Sequence, residues 1–566
     1  MEFDYFNLFN KVKNIIYEAQ AKKLVIFGTG SFAKLLSEYM PKKPSYYVDN
    51  NINKLNRLFM DSDIHSPDLL KTEDSNNLLI LVASMYYEEI SQQLKSMGLN
   101  EGEHFENGRP LYDLINVYKS FGLEEDLKEY IRKEQLITSS CTDPHKVVLA
   151  NKECEWLCAD NDRLFLKGLL EGYRIVFVKD NFDTHNIYFE KMDKSFRQIE
   201  YKGINLFEVS IYNICVDLQL VITDIDISLN EHKDAIRKWY NISANYINTI
   251  ENLTESLNVT SVMILQGYLY TSAILRRFAL SNEMPILALE NTFNKTKAIW
   301  DNISGITVNK NLARSYYWRY YDSVDFSTAF EYCMKYIDGI KNLKMEEHIT
   351  PSNKFLQKSG RKTILYIGQV YSDSSVLFGI WNFKNPVEII KVLVDYCINN
   401  DFQLIVKPHP KEKDLVDVLG NKYDKLTFRM INKDKELAEK ITKYGVVVDS
   451  ENEYDTYSLI DYSDLCITIN SQAGLEALIK NKDVILCGNC SYGGLGFSYE
   501  AHNKDMLLCF MDMVLKKGIS LINKEDIYKF FYIFNEKYCI SKDAEAIIDK
   551  LKTIEFGLNK KNAGRN

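Results

Sequence analysis

Short apolar runs alternate with longer stretches whose apolar positions recur every three or four residues. That alternation predicts β-α-β units building parallel sheets with helices on both faces. Near the start, an amphipathic helix over Phe6–Ala19 leads to the strand Leu24–Phe27, a helix to Tyr39, and strands at Ser45–Val48 and Leu78–Val82. Strand-like runs follow at Lys146–Leu149, Arg174–Val178, Leu218–Thr223, Ser261–Leu265 and Pro285–Leu289, with helices at Glu231–Leu257 and Ala273–Leu280. A third series has strands at Thr363–Ile367, Gln403–Val406, Val446–Val448, Leu465–Ile469 and Val484–Cys487. Its helices fall at Pro386–Asn399, Thr456–Tyr462 and Leu475–Ile479, and two more, Lys524–Asn535 and Ala544–Thr553, are expected to pack back on that lobe.

The predicted class is α/β, with two Rossmann-like lobes facing a cleft and a smaller Rossmann-like domain before them. The small module spans 1–135, the first lobe 140–350, the second lobe 355–545 and a tail 546–566. No repeat of solenoid period is visible.

Composition narrows the function. Hydrophobic residues make up 46% and charged residues 26%, which is ordinary globular material. The net charge of −9 makes nucleic acid a poor partner. Of the 11 cysteines, Cys487 and Cys490 form a C-x-x-C with no second pair, so no metal site is expected and a reducing cytoplasm suits the chain. The acidic start, Met1-Glu2-Phe3-Asp4, is not a signal peptide, and no apolar run nears the ~20 residues that span a bilayer. Membrane contact is therefore expected to be peripheral, at the inner face.

Gly28-Thr29-Gly30-Ser31-Phe32-Ala33 follows the first strand, with Asp49 16 residues beyond. Glycines there permit a tight turn and the approach of a phosphate to a helix start, and Asp49 sits where a ribose hydroxyl would bind. Gly28, Gly30 and Asp49 are thus a candidate second nucleotide site. The plainer reading is that the glycines only make the turn. The module is too short for a complete dinucleotide-binding domain.

Three unusual sequences follow strands of the third series and should converge on one crevice. They are Gln369–Ser375, Lys407-Pro408-His409-Pro410 and Asn470–Glu476. Lys407 would neutralise phosphate charge, and His409 would donate to a phosphate or the sugar. Ser471, Gln472 and Gly474 form a helix start whose N–H groups favour an anion. Glu476 would accept from ribose hydroxyls, Ser372, Asp373, Ser374 and Ser375 would bind the sugar or close the lobe interface, and Gln369 would bind the donor. A rigid turn and a helix cap are the structural alternatives.

On these motifs the chain resembles the capsule polysaccharide biosynthesis family, which includes enzymes transferring Kdo, an eight-carbon acidic sugar, from CMP-Kdo. The matching residues are Gln369 with Asp373-Ser374, Lys407–Pro410, Ser471 with Gly474-Leu475-Glu476-Ala477-Leu478, and Tyr492 with Gly494 and Gly496. In the first lobe, Glu290 and Gly305 keep the family's spacing, with Asp301 between. Asn291-Thr292 and Lys295-Thr296 depart from it. The resemblance covers about 255–500 and leaves 1–135 unexplained.

The resemblance implies a metal-independent GT-B-like glycosyltransferase with no cofactor beyond its nucleotide-sugar donor, CMP-linked in the Kdo enzymes. Its acceptor would be a surface polysaccharide or lipid-linked glycan, handled in a capsule-assembly complex at the cell envelope. Glycosyl transfer passes through an oxocarbenium-like state that a carboxylate can stabilise. The candidates for catalysis are Glu290, Asp301, Asp373 and His409. Asp224-Ile225-Asp226 spells D-x-D but reads as a strand terminus. Two other classes stay open: a CDP-polyol phosphotransferase of teichoic-acid type, and a non-catalytic nucleotide-sugar-binding protein.

Overall fold

Strand β1 (Lys23–Phe27) is apolar and buried from Leu24 onward because both its faces are covered. Leu24 and Ile26 enter one core with Phe9, Leu36 and Leu114, while Val25 and Phe27 enter another with Ile90, Leu94 and Leu99. This is the two-residue alternation of a strand between two helical layers. The computed structural model describes residues 4–134, 145–158, 160–179, 195–292, 294–305, 310–346 and 360–563. The boundaries expected at 135–140 and 350–355 lie outside these residues.

The chain divides into two units. The first comprises Met1–Val148, Cys158–Ile175 and Asp543–Ile548. Its other strands are β2 (Tyr46–Val48), β3 (Leu58–Phe59), β4 (Ser62–His65), β5 (Leu78–Val82) and β6 (Phe105–Asn107), in the order β3-β4-β2-β1-β5-β6. The chain reverses its direction of travel across the sheet at β1, which pairs in parallel with both β2 and β5. Helix Asn161–Leu170 also belongs here: Tyr118 donates to the Leu166 carbonyl at 2.9 Å, and Lys167 pairs with Asp126 at 2.7 Å. The sequence pattern assigned that helix to the first lobe. Its buried Leu166 and Leu169 look like any lobe core until their neighbours, Phe9 and Leu127, are known.

The second unit comprises Leu149–Leu157, Val176–Lys542 and Asp549–Asn566. A short hairpin, β9 (Glu200–Tyr201) and β10 (Ile204–Asn205), stands apart from its two six-stranded sheets. The sheet of the first lobe has β7 (Lys146–Asn151), β8 (Tyr173–Val178), β11 (Val259–Leu265), β12 (Ile286–Asn291), β13 (Lys297–Asp301) and β20 (Ile540–Ser541), in the order β20-β13-β12-β11-β7-β8; the division between the units falls within β7, after Val148, and within β8, after Ile175. The sheet of the second lobe has β14 (Thr363–Ile367), β15 (Gln403–Lys407), β16 (Val447–Val448), β17 (Leu465–Thr468), β18 (Val484–Leu486) and β19 (Tyr499–Glu500), in the order β16-β15-β14-β17-β18-β19. Every neighbouring pair in it is parallel.

Three expectations are corrected. Leu218–Thr223 is not a strand. Helix Leu206–Leu218 runs into it and stops at Gln219, left-handed at φ 53°, before a 3-10 turn at Ile222–Asp224. That helix is buried on almost every side, so its continuous apolar run lacks the one-sided pattern of a surface helix. Asp224 therefore ends no strand; its carboxylate accepts from Tyr371 of the second lobe at 2.9 Å. Second, the helix expected over Ala544–Thr553 is longer and runs through the segment set apart as a tail, from Ala544 to Ala563. Third, an antiparallel strand, β13, lies beside β12, and the chain returns after the second lobe to pair β20 with it.

Candidate functional site

Because β14, β15, β17 and β18 are parallel, the segments after them share one edge. Gln369, after β14, ties that edge together: its side-chain nitrogen donates to Ser375 Oγ at 2.5 Å and to Asn470 Oδ1, and its oxygen accepts from the Asn470 N–H at 3.2 Å. Asn470 in turn donates to the carbonyls of Ser375 at 2.8 Å and Asn489 at 2.9 Å. The Gln369 motif and the Asn470 motif are thus brought together, but their two amides hold the scaffold.

A cavity of about 180 Å³ opens between the lobes of the second unit. Glu290, Asn291, Thr292 and Ile299 line it from the first lobe. Ser375, Asn470, Gln472, Leu475 and the Asn489–Tyr492 turn line it from the second, with Phe534 between. Among these lining residues there is one carboxylate and no lysine, arginine or histidine. Glu290 leaves the end of β12 and accepts from Gln266 at 3.4 Å. Gly305 gives it room, since a Cβ there would lie 2.8 Å from Glu290 Oε2.

Helix Gln472–Ile479 opens onto the cavity. Ser471 caps it, accepting from the Ala473 N–H at 3.3 Å. Gly474 is required by Tyr492, whose hydroxyl donates to the Ser471 carbonyl and occupies the space a Cβ at 474 would take. The glycine-rich turn after Tyr492 is pinned by Arg314, whose Nε donates to the Gly493 carbonyl at 3.0 Å. Lys310, one turn earlier, pairs with Glu500 at 3.3 Å.

Other candidate residues sit elsewhere, and these are corrections. Lys407 does not face the cavity: it is 2% exposed and its ammonium donates to Asp449 Oδ2, Asn452 Oδ1 and the Tyr454 carbonyl, at 2.5, 2.6 and 2.8 Å. Three acceptors match its three protons. His409 lines a separate, smaller depression with Pro408, Pro410, Phe428 and Ser450, and its Nδ1 accepts from the Lys411 N–H at 3.1 Å. Its neutral form therefore carries the proton on Nε2. Asp301 is buried at the end of β13 and accepts from the N–H groups of Ile303 at 2.7 Å and Ser304 at 3.3 Å, making a turn. Asp373 caps helix Ser374–Gly379 through the Ser375 N–H at 2.8 Å, and Ser374 is buried behind it. Glu476 is also buried, within hydrogen-bond reach of Gln472 at 3.3 Å. The cavity residues that sequence reasoning missed include Ile299, Asn489, Ser491 and Phe534; only their following a β-strand end, for Asn489 and Ser491, was a usable signal.

In the first unit, Gly28 adopts φ +116°, and a Cβ there would lie 2.6 Å from the Ala83 carbonyl oxygen, so only glycine fits this crossing of β1 and β5. Gly30 precedes helix Ser31–Tyr39 with open space above it. Asp49 does lie at the end of β2, but its carboxylate is held within the module, by Thr29 Oγ1 at 2.5 Å, Lys54 Nζ at 2.9 Å and the Asn51 N–H at 2.8 Å. Among the described residues, no group of three or more His, Cys, Asp or Glu is placed to hold a metal, and no helix is long and apolar enough to cross a membrane.

Residues 310–509 match the model of a family described as capsule polysaccharide biosynthesis protein. The lipopolysaccharide-processing protein LpsZ of Rhizobium meliloti is 30% identical over 145 residues, which is 26% of this chain and 29% of that one. The capsule polysaccharide modification protein LipA of Neisseria meningitidis serogroup B is 23% identical over 243 residues, 40% of this chain and 31% of that one. The matches therefore span about a third of those relatives' length. Among solved structures, Thermosulfurimonas dismutans KpsC, a β-Kdo 2,7 transferase, is similar at 17% identity and a TM-score of 0.33, over 54% of this chain and 89% of that one. Methanocaldococcus jannaschii UDP-GlcNAc 2-epimerase is similar at 13% identity and a TM-score of 0.28, over 68% and 98%.

Proposed function

We infer that this chain, whose residues 310–509 match the model of the capsule polysaccharide biosynthesis family, is a glycosyltransferase. It would take its sugar from a nucleotide-activated donor bound between the two lobes. One observation carries the reading: Glu290 of the first lobe and the helix start at Gln472 of the second line the same cavity. A carboxylate on one wall can stabilise an oxocarbenium-like centre or take the acceptor's proton. Backbone N–H groups at a helix start on the other can receive the departing phosphate. With Lys407 committed to Asp449, and the Ala473 and Gly474 N–H groups bonded to Ser471, the proposed leaving-group site is the Gln472 N–H at the positive end of the helix rather than a lysine. The donor sugar is proposed as Kdo or a related acidic sugar, and the acceptor as a growing surface polysaccharide or its lipid-linked precursor.

The test is a mass-spectrometric screen of purified protein against UDP-, GDP-, CMP- and CDP-linked donors with a lipid-linked glycan acceptor. Hydrolysis or transfer from one donor class, without phosphorus in the glycan, is the expected result. Phosphorus retained in the product would make the chain a polyol-phosphate transferase instead. No consumption of any donor would leave a binding protein.

A further inference from the structure

We propose that Gln472 reads a hydroxyl of the bound sugar through a side-chain oxygen whose direction is set by Glu476 and Tyr336. The proposal rests on the cavity being the donor site.

Gln472 Nε2 lies 3.1 Å from the Tyr336 hydroxyl and 3.3 Å from Glu476 Oε1. A carboxylate accepts and does not donate, so the amide must turn its nitrogen toward Glu476. Its two N–H bonds are then both engaged beneath the helix. What remains for the cavity is the carbonyl oxygen, an acceptor. Asn470, on the same wall, offers nothing comparable, because both its N–H bonds and its oxygen serve Ser375, Asn489 and Gln369.

The opposite wall has the complementary polarity. Lys542 Nζ donates to Asn291 Oδ1 at 2.7 Å. An ammonium can only donate, so the Asn291 nitrogen is the atom turned away from Lys542. Among the polar groups lining the cavity, Glu290 and Gln472 are thus acceptors on facing walls and the Asn291 amide is a donor, beside the hydroxyls of Thr292, Ser375 and Ser491. A phosphate or carboxylate oxygen would be repelled at Gln472; a hydroxyl would be bound. Glu476 and Tyr336 are positioning residues in this scheme.

Calorimetry on the full chain measures binding of UDP-, GDP-, CMP- and CDP-linked sugars and of the corresponding bare nucleotides. Gln472→Met keeps the length of the side chain and removes the acceptor. It is expected to weaken the sugar nucleotide about tenfold and leave the bare nucleotide unchanged. In turnover, KM should rise by the same factor with kcat preserved. Glu476→Gln supplies a donor that lets the Gln472 amide reverse, and is expected to produce the same selective loss. Unchanged sugar-nucleotide binding by Gln472→Met, or an equal loss for the bare nucleotide, overturns the proposal. A donor that binds but is never consumed overturns the transferase reading, while the Gln472→Met affinity still decides this one. If no donor binds, both fall.

Discussion

Lys407 Nζ lies 2.5 Å from Asp449 Oδ2, and the two side chains are 2% and 1% exposed. The same ammonium holds Asn452 and the Tyr454 carbonyl, so it shapes the 449–454 loop after β16. Removing one member of a buried pair leaves the other charge without its counterion, at a cost of about 3–5 kcal/mol. Lys407→Met should lower the urea midpoint accordingly. Lys407→Met with Asp449→Asn should recover part of the loss, because no carboxylate is then stranded. A Lys407→Met protein of unchanged stability that loses only donor binding would return this lysine to the ligand.

Gly474 and Tyr492 form a second coupled pair. The Tyr492 hydroxyl fills the place of a Cβ at 474, whereas its Cζ would lie 3.4 Å from that Cβ, an ordinary contact. Gly474→Ala is therefore expected to cost about 1–3 kcal/mol by overpacking. Adding Tyr492→Phe removes the colliding oxygen and should restore part of the loss, the remaining tight contact being Thr468 Cγ2 at 3.0 Å. Thermal unfolding of the single and double variants checks this; additive losses would mean that the two positions do not meet.

These residues also mark how far the sequence could be read. The strand Thr363–Ile367 was legible to the residue because a strand buried on both faces must be a continuous apolar run. Glu290 and Gln472 were legible as positions at strand ends and helix starts. The orientation of Lys407 was not, because it depends on Asp449, 42 residues later and just past a neighbouring strand. Strand β13 was missed because its five residues, Lys297–Asp301, carry a charge at each end and pair antiparallel with β12. Phe534 reaches the cavity from the helical segment between β19 and β20, a placement no local spacing encodes.

Asp49 gives a pH prediction for the first unit. Burial alone would raise its carboxyl, but hydrogen bonds from Thr29, Lys54 and the Asn51 N–H outweigh burial and hold it below the usual 3.8. A carboxyl depressed in the folded state stabilises it fully above the unfolded value and loses that contribution as pH falls through the folded one. Asp49→Asn should thus flatten the decline in urea stability between about pH 5 and pH 2. A variant as acid-sensitive as the parent would show that this carboxylate contributes nothing.

The three acidic residues proposed from sequence now separate by geometry. Asp301 and Asp373 accept backbone N–H groups, from Ile303 and Ser304 in one case and Ser375 in the other. Asparagine offers the same acceptor oxygen and caps helices as well as aspartate does. Asp301→Asn and Asp373→Asn should therefore keep both the fold and most of the turnover. Glu290→Gln keeps the shape of the cavity wall but removes its one negative charge. Loss of a general base or charge stabiliser should lower kcat about 10²–10⁴-fold with little change in donor affinity. Gly305→Ala tests the same carboxylate independently, because the added methyl would press on Glu290 Oε2. The same methyl would lie 2.8 Å from the Gln266 carbonyl oxygen, so kcat should fall together with some loss of stability, and thermal unfolding of the variant separates the two. If Asp301→Asn is as damaging as Glu290→Gln while unfolding normally, the carboxylate at the anomeric centre has been assigned to the wrong strand.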